Sequence, residues 1–191
     1  MKKKRAYEAI VIGTSAGGLE ALSKVLPLLK ADLPVPVFVV QHISPSSDSY
    51  LVNYFNKMCK LRVKESEDKE FIKPGTVYFA PPDYHLLIEE NRSISLSNAE
   101  KINYSRPSID VTFETAIWAY GARLIGIIMT GANWDGAAGL SQIKEAGGYT
   151  IVENPKTSLV SRMPEAAIAK SKPNLILNLE DIGEKLNDLI R

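Results

Sequence analysis

Short apolar runs alternate along this chain with segments whose apolar residues recur at helical spacing. Residues 7–12 form the first run, and a helical pattern follows at 19–30. The arrangement recurs with an apolar run at 35–40 and a helical pattern at 50–60. Alternating strands and helices favour a parallel sheet, and short strands without polar alternation are typical of burial on both faces. The sequence therefore predicts an α/β fold, with a doubly wound, mainly parallel sheet and helices on both faces.

The region between residues 61 and 96 has a different pattern. Short strand-like runs are separated there by turn signals such as Lys73-Pro74-Gly75, which predict a small antiparallel ribbon or sheet edge. Residues 97–108 are polar and irregular. Beyond them we expect a helix from Ser108 to Gly121, a helix that ends at Ala146, one that starts at Pro164 and one over 182–190, with strands at 124–129, 150–152 and 175–179.

The composition predicts a single domain over residues 1–191, because 45% of the residues are hydrophobic and the length suffices for a sizeable core. With 23 Lys and Arg against 22 Asp and Glu, the chain has no net field that would draw it to nucleic acid or to an anionic membrane. Residues 1–6 are basic and are expected to form a solvated tail, since the apolar run after them is too short for a signal peptide or a membrane span.

Cysteine and histidine usage limits the possible chemistry. The single cysteine, Cys59, excludes an internal disulfide and a cysteine-based metal cluster, and it is consistent with a reducing cytoplasm. Cys59 lies in a helical pattern and is expected to be a small core residue. The two histidines, His42 and His85, are far apart and have no metal-like partner at helical or hairpin spacing. We therefore predict no metal and no cofactor.

The stretch VIGTSAGG at residues 11–18 has two interpretations. A glycine-rich turn after an apolar strand suits the approach of a phosphate to the backbone. The same letters contain G-x-S-x-G, a pattern that holds a nucleophilic serine, here Ser15, on a tight strand-to-helix turn. The phosphate interpretation lacks its usual partners, because neither the dinucleotide pattern G-x-G-x-x-G nor a G-K-[ST] sequence follows.

Two further chemically active residues follow predicted strands. His42 follows the strand at 35–40, and Asp135 lies in the loop after the strand at 124–129. The carboxyl ends of parallel strands share one edge of a sheet, so Ser15, His42 and Asp135 are expected to meet in one crevice. A serine becomes a nucleophile when an imidazole takes its proton and a carboxylate orients that imidazole. Together the residues predict a serine hydrolase.

Each of these residues also has a structural interpretation. Ser15 could cap the helix that follows it, His42 could be a structural hydrogen-bonding residue, and Asp135 could belong to a turn or cap the next helix. Taken singly, these interpretations are the more frequent ones. Their coincidence at three strand ends favours catalysis.

Six segments of the chain resemble the catalytic domain of CheB-type chemotaxis protein-glutamate methylesterases. They are VIGTSAGGLEAL, VVQHISPSSDSYLVNYFNKM, LRVKESEDKEFIKPGTVYFAPPDYHL, RPSIDVTFETA, GIIMTGANWDGAAGL and MPEAAI. The resemblance implies hydrolysis of glutamyl methyl esters on chemoreceptors and, in some members, deamidation of receptor glutamines. It implies catalytic roles for Ser15, His42 and Asp135. It also implies a cytoplasmic enzyme whose partner is the methylated cytoplasmic region of a chemoreceptor or a similar methylated protein.

The chain departs from the family pattern around these residues. Ala16 stands where many members have threonine, Ala132 stands where many have methionine, and Trp134 is bulkier than the residue expected before the aspartate. Backbone amides from Ala16 to Gly18 at the start of the first helix, and the amide of Ala132, are expected to support the oxyanion of a tetrahedral intermediate. Side-chain changes at these positions leave such main-chain contacts possible.

Family members of the chemotaxis pathway usually carry an N-terminal phospho-acceptor receiver domain. Here the resemblance begins within ten residues of Met1, which predicts a stand-alone catalytic domain, an isolated part of a longer protein, or a member that serves another receptor-like pathway. The rival hypothesis from another class is a non-catalytic module that binds a receptor or a regulator on the same fold. A nucleotide-binding protein is a more distant alternative.

Overall fold

Seven parallel strands form the central sheet in the computed structural model, which describes residues 7–44 and 50–190. The predicted basic tail, residues 1–6, lies outside the described residues. Along the chain the strands are β1 Ala9–Thr14, β2 Val37–Gln41, β3 Arg62–Glu65, β4 Thr76–Phe79, β5 His85–Ile88, β6 Ile94–Ser97, β7 Leu124–Ile128, β8 Tyr149–Glu153 and β9 Leu175–Leu177. The helices are α1 Gly18–Val25, α2 Tyr50–Met58, α3 Ile109–Tyr120, α4 Ala137–Glu145, α5 Arg162–Ser171 and α6 Leu179–Leu189.

Helices cover both faces of the sheet, as predicted. One apolar core contains Leu22 of α1, Phe55 of α2 and Leu186 of α6. The second core contains side chains of α3, α4 and α5, among them Phe113 and Leu140. Every residue of β1, β2 and β7 is buried, which explains why these strands lack polar alternation. The prediction of a doubly wound, mainly parallel sheet is confirmed.

The strand order is β3-β4-β2-β1-β7-β8-β9. From β1 the chain first builds outward through β2, and it later returns to the other side of β1 with β7. In open α/β sheets, the crevice at such a change of direction is where ligands bind. The carboxyl ends of β2, β1 and β7 flank this crevice.

The region from 61 to 96 is only partly an antiparallel ribbon. Strands β5 and β6 form the predicted two-stranded antiparallel sheet. Strands β3 and β4 instead extend the main sheet in parallel. Short strands between turn signals do not reveal their direction of pairing, because the direction depends on the path of the intervening chain.

Helix α1 ends earlier than its apolar pattern indicates. The pattern runs to residue 30, whereas the α-helix stops at Val25 and a 3₁₀ turn covers Leu26–Leu28. Pro27 lies in that turn and has no N–H for an intrahelical hydrogen bond, so the helix cannot continue regularly through it.

Cys59 packs partly buried against the first core, and burial raises the pKa of its thiol to about 11. Among the described helices, none has the length and apolar character needed to cross a membrane.

Candidate active site

Ser15, His42 and Asp135 follow the three central strands β1, β2 and β7. Thr14 and Gln41 are direct partners in the register of β1 and β2, so Ser15 and His42 are the next residues on neighbouring strands. The amide of His42 donates to the carbonyl of Thr14 at 3.0 Å. The sheet itself therefore holds the backbones of the serine and the histidine side by side.

His42 and Asp135 are joined by a hydrogen bond of 2.8 Å between Nε2 and Oδ2. The Asp135 side chain is fully buried, and that of His42 is 12% exposed. Because Nε2 contacts the carboxylate, it carries the proton when the imidazole is neutral, and Nδ1 becomes the basic nitrogen. The structure thus leaves Nδ1 of His42 to serve Ser15.

The carboxylate of Asp135 lies at the N-terminus of α3. Its Oδ2 accepts from the amide of Ile109 at 2.6 Å, and its Oδ1 accepts from the amide of Asp110 at 3.2 Å and from Ser108 Oγ at 2.9 Å. The helix dipole favours a negative charge at this position. Burial acts to raise the pKa of Asp135, but the hydrogen bonds from His42, Asn103 and Ile109 outweigh it and hold the pKa below the ordinary carboxyl value. Asp135 therefore caps α3 and not the helix that follows it in sequence.

Asn103 joins Asp135 to a second carboxylate. Its Nδ2 donates to Asp135 Oδ1 at 2.9 Å and to Asp110 Oδ2 at 2.8 Å. Asp110 also accepts from the amide of Gly139, in the first turn of α4, at 2.7 Å. Burial raises the pKa of Asp110, and the neighbouring charge of Asp135 adds to this effect. The uncharged side-chain amide of Asn103 thus donates to both carboxylates and holds them close together.

Ser15 lies on a turn that main-chain hydrogen bonds close tightly. Its amide donates to the carbonyl of Thr130 at 2.9 Å, and its carbonyl accepts from the amide of Gly18 at 2.9 Å. Gly17 occupies the cap position of α1 with φ of 81°, in the left-handed region. Ser15 is therefore not the helix cap, and its Oγ forms no hydrogen bond to His42 or to any other of the residues in 7–44 and 50–190.

The side chain of Gln41 holds the main chain of both Ser15 and His42. Its Nε2 donates to the carbonyls of Ser15 and His42, both at 2.9 Å. A Cβ at Gly18 would come within 1.8 Å of Gln41 Oε1. The glycine at position 18 is therefore needed to leave room for this side chain.

Thr130 ties the turn of Ser15 to the loop of Asp135. Its carbonyl accepts from the Ser15 amide and from Thr14 Oγ1, and its own Oγ1 donates to the carbonyl of Ala16 at 2.8 Å. The Thr130 amide donates to Oε2 of the buried Glu153 at 2.8 Å. Burial raises the pKa of Glu153, although the hydrogen bond from Thr130 opposes the change. These contacts fix two site loops to each other.

A cavity of about 480 Å³ opens over Ser15 and His42. Its other lining residues are Ile43 and Ser44, which follow His42, together with residues of the segment 101–107 and of the loop after β7, among them Asn103 and Trp134. The main-chain amides of Ala16 and Gly17 follow Ser15 directly in the chain, and that of Ala132 lies in the loop after β7. Within the described part of the chain, the amides of Ala16, Gly17 and Ala132 have no hydrogen-bond partner, whereas that of Gly18 is occupied by the Ser15 carbonyl. The expectation of donors from Ala16 to Gly18 is therefore wrong for Gly18.

The sequence interpretation missed the residues that support this site. Gln41 stands next to His42 at a strand end, and Glu153 ends β8 at the same sheet edge. The strand-end rule that brought together Ser15, His42 and Asp135 could therefore also have indicated these two residues. Asn103 lies in a segment without periodicity and gave no such signal. His85 lies outside the cavity lining. Its Nδ1 accepts from the amide of Ser108 at 3.2 Å, and it thereby helps to hold Ser108, whose hydroxyl donates to Asp135.

Comparisons with known proteins agree with this architecture. The family described as CheB methylesterase matches residues 10–186. The crystal structure of the Thermotoga maritima CheB methylesterase catalytic domain has a TM-score of 0.92 and 36% identity, covering 96% of this chain and 99% of that one. A relative from Leptospira interrogans is 50% identical over 178 residues, which cover 93% of this chain and 92% of the relative.

A protein from Archaeoglobus fulgidus, named protein-glutamate methylesterase/protein-glutamine glutaminase, is 38% identical over 188 residues. These residues cover 97% of this chain and 54% of the archaeal protein, so the chain spans about half the length of that curated relative. The family match and the structural likeness extend over nearly all the described residues. The chain belongs to the CheB methylesterase family.

Proposed function

We propose that the chain hydrolyses glutamyl methyl esters of a protein to glutamate and methanol. The observation that carries this proposal is the hydrogen bond between His42 Nε2 and the buried Asp135, because His42 lines the same cavity as Ser15. An oriented imidazole beside a serine on a tight turn is the arrangement that acyl transfer requires. Membership of the CheB methylesterase family supports the choice of substrate.

In the first step, Ser15 Oγ attacks the ester carbonyl while His42 Nδ1 takes the hydroxyl proton. The negative charge moves to the carbonyl oxygen, where the amides of Ala16, Gly17 and Ala132 are available as donors. When the intermediate collapses, His42 returns the proton to the methoxy oxygen and methanol leaves. Asp135 stabilises the imidazolium between these two transfers.

In the second step, water attacks the acyl-enzyme and His42 Nδ1 takes a proton from it. The new tetrahedral intermediate expels Ser15 Oγ, which regains the proton from His42, and the free glutamyl carboxylic acid is released. This sequence consumes one water for each ester and regenerates the site. It needs no metal or redox group.

We propose further that the substrate is the methylated cytoplasmic region of a chemoreceptor, which makes the cytoplasm the site of action. The names of the relatives, which pair the methylesterase with a protein-glutamine glutaminase, favour deamidation as a second activity of the same site. In that reaction His42 protonates the amide nitrogen of the tetrahedral intermediate, which leaves as ammonia in place of methanol. The tetrahedral intermediate and its donors are otherwise the same.

The test is methanol release from a methylated chemoreceptor fragment by the wild type and by Ser15→Ala. We expect the variant to lose activity while it keeps the free energy of unfolding, because Ser15 Oγ makes no hydrogen bond among the described residues. Ser44→Ala, which changes another serine of the same cavity, is the matched control and should retain turnover. A Ser15→Ala variant with the wild-type rate would falsify the assignment.

A non-catalytic binding module on the same fold makes a different prediction. A fluorophosphonate reacts covalently with an activated serine, so mass spectrometry should locate the adduct on Ser15. Tight binding of the receptor fragment without labelling or turnover would favour the binding module instead.

A further inference from the structure

The segment from Ile102 to Ser105 forms a tight hairpin beside the catalytic cavity. The two residues exchange main-chain hydrogen bonds of 3.2 and 2.9 Å. At its tip, Asn103 and Tyr104 have φ of 51° and 62°, in the left-handed region that costs side-chain-bearing residues free energy. Such a backbone persists where the surroundings hold it, and it is concentrated at ligand-binding and catalytic sites.

Arg106 anchors the hairpin on one side. Its Nε and Nη2 donate to Oδ1 of Asp83 at 3.0 and 2.6 Å, and its Nη1 donates to the carbonyls of Asn98 and Ala99 at 2.8 and 2.9 Å. Asn103 anchors the tip itself through its hydrogen bond to Asp135. The hairpin is therefore fixed in position and is connected directly to the carboxylate that orients His42.

The hairpin exposes the aromatic side chain of Tyr104 to solvent. Tyr104 is 88% exposed, and Trp134, on the loop that carries Asp135, is 47% exposed. Both side chains line the catalytic cavity, and Tyr104 also lines an adjoining depression together with Lys101 and Asn103. Exposed aromatic side chains on fixed backbone are typical of the residues that dominate protein recognition. The surface that they form extends beyond the space that one ester side chain needs.

The basic side chains of Lys101 and Arg162 lie at this surface. Lys101 is exposed and has no ion pair within residues 7–44 and 50–190. The guanidinium of Arg162 lies 5.8 Å from the centre of the Trp134 ring. Two acidic groups near the surface are engaged, since Asp83 pairs with Arg106 and Asp135 with His42. The exposed Glu100, next to Lys101 in sequence, is not among the residues that line the cavity. The basic groups at this surface therefore complement a segment that carries carboxylates.

We propose that Tyr104 and Trp134 form a recognition surface for the polypeptide that carries the ester, and that this polypeptide has acidic residues next to the reacting glutamyl ester. The aromatic rings contact the chain around that side chain, while Lys101 and Arg162 attract its carboxylates. The hairpin couples recognition to catalysis, because the same loop contacts substrate at Tyr104 and Asp135 at Asn103. This inference rests on the proposed esterase activity and specifies its substrate class.

The test compares two substrates, a methylated chemoreceptor cytoplasmic fragment and p-nitrophenyl acetate, by their ratio of kcat/KM values. For Tyr104→Ala and Trp134→Ala we expect this ratio to fall about tenfold or more, mainly through a higher KM for the protein, as is usual for a dominant interface residue. Trp118→Ala is the matched control, because Trp118 is 63% exposed on α3 and lies outside the cavity lining. It should leave the ratio at the wild-type value.

The charged part of the surface has its own measurement. Lys101→Glu should raise KM for the receptor fragment at low salt, and the effect should shrink at high salt because exposed charges are screened. Wild-type ratios for both aromatic variants would overturn the recognition surface while the esterase proposal stands. A wild-type protein that releases no methanol from the fragment, yet cleaves p-nitrophenyl acetate, would overturn the esterase proposal and the recognition surface with it.

Discussion

Asp135 accepts hydrogen bonds through both of its carboxylate oxygens. Oδ2 faces His42 and the amide of Ile109, and Oδ1 faces three further donors. An asparagine has one acceptor oxygen, and whichever way its amide is turned, its NH₂ group meets donors. The site is therefore built for a carboxylate, in charge as well as in shape.

Asp135→Asn should lose both activity and stability. We expect kcat to fall by about 10⁴-fold, as in protease triads with the same change, and the free energy of unfolding to fall by about 1–3 kcal/mol because buried donors lose their acceptor. Methanol release and urea denaturation measure the two losses. Ser15→Ala, which should lose activity alone, is the comparison; equal stability of the two variants would contradict this account.

Asn103 should set the pH at which Asp135 becomes protonated. In Asn103→Ala, Asp135 loses one hydrogen-bond donor, so its pKa rises, and in urea denaturation the acid-induced fall in the free energy of unfolding begins at higher pH. Asn103→Asp should move this onset further, because a third carboxylate then adjoins Asp110 and Asp135. Asn98→Ala is the matched control, since only the carbonyl of Asn98 contacts Arg106. Unshifted profiles for both Asn103 variants would show that the amide does not act on Asp135.

Sequence reasoning located the chemical groups of the site but not their support. Ser15, His42 and Asp135 were predictable because strand ends share one edge of a parallel sheet. The choice of Nε2 as the contact to Asp135 was not predictable, since it depends on a side-chain rotation. Asn103 was not predictable either, because its contacts to Asp110 and Asp135 arise from the folding of an irregular segment.

At the level of elements, the turn between β1 and α1 depends on the space around Gly18. A Cβ there would lie 1.8 Å from Gln41 Oε1 and 2.7 Å from Thr14 Oγ1. Gln41 is buried and holds the carbonyls of Ser15 and His42. The helix and the neighbouring strand are therefore fitted to each other through one side chain.

Gly18→Ala should reduce methanol release by about 10²-fold, the effect that a displacement of about 1 Å at a reacting group can have. Alanine favours helix more than glycine does, so weakening of α1 would not explain the loss. If Gln41 transmits the effect, the double variant Gly18→Ala, Gln41→Ala should lose less than the product of the two single losses. Multiplicative losses would mean that the two residues act independently.

The elements themselves were largely predictable from periodicity, and the exceptions have local causes. Helix α1 is shorter than its pattern because Pro27 interrupts it. Strands β3 and β4 join the main sheet in parallel, although the turn-rich sequence around them resembled a ribbon. Pairing direction is a property of the whole chain path, and a window of a few residues does not contain it.

At the scale of the whole molecule, buried carboxyl groups give opposite contributions to stability as pH changes. The pKa of Asp135 is lowered, so its contribution is present above the unfolded pKa of about 3.9 and is lost as pH falls through the folded value. The pKa of Glu153 is raised, so its contribution is complete below the unfolded pKa of about 4.3 and is lost as pH rises through the folded value.

Glu153→Gln should therefore become more stable relative to the wild type as pH rises. The glutamine carbonyl can still accept from the Thr130 amide, while the buried negative charge is gone. Urea denaturation from pH 4 to pH 8 should show the difference in free energy of unfolding growing and then levelling. Glu20→Gln, which removes a carboxylate from the exposed surface of α1, is the matched control; a difference for Glu153→Gln that stays constant with pH would contradict the prediction.

Because His42 contacts Asp135 through Nε2, the distance between strands β1 and β2 limits how well Nδ1 can align with Ser15. Nδ1 lies next to the ring carbon that joins the side chain, so the proton acceptor stays close to its own backbone and gains little reach from rotation about the side-chain bonds. Alignment with Ser15 then depends on the separation of two neighbouring strands, set by the pairing of Thr14 with Gln41. A designer who moved this trio to another scaffold would have to copy the strand spacing together with the side chains.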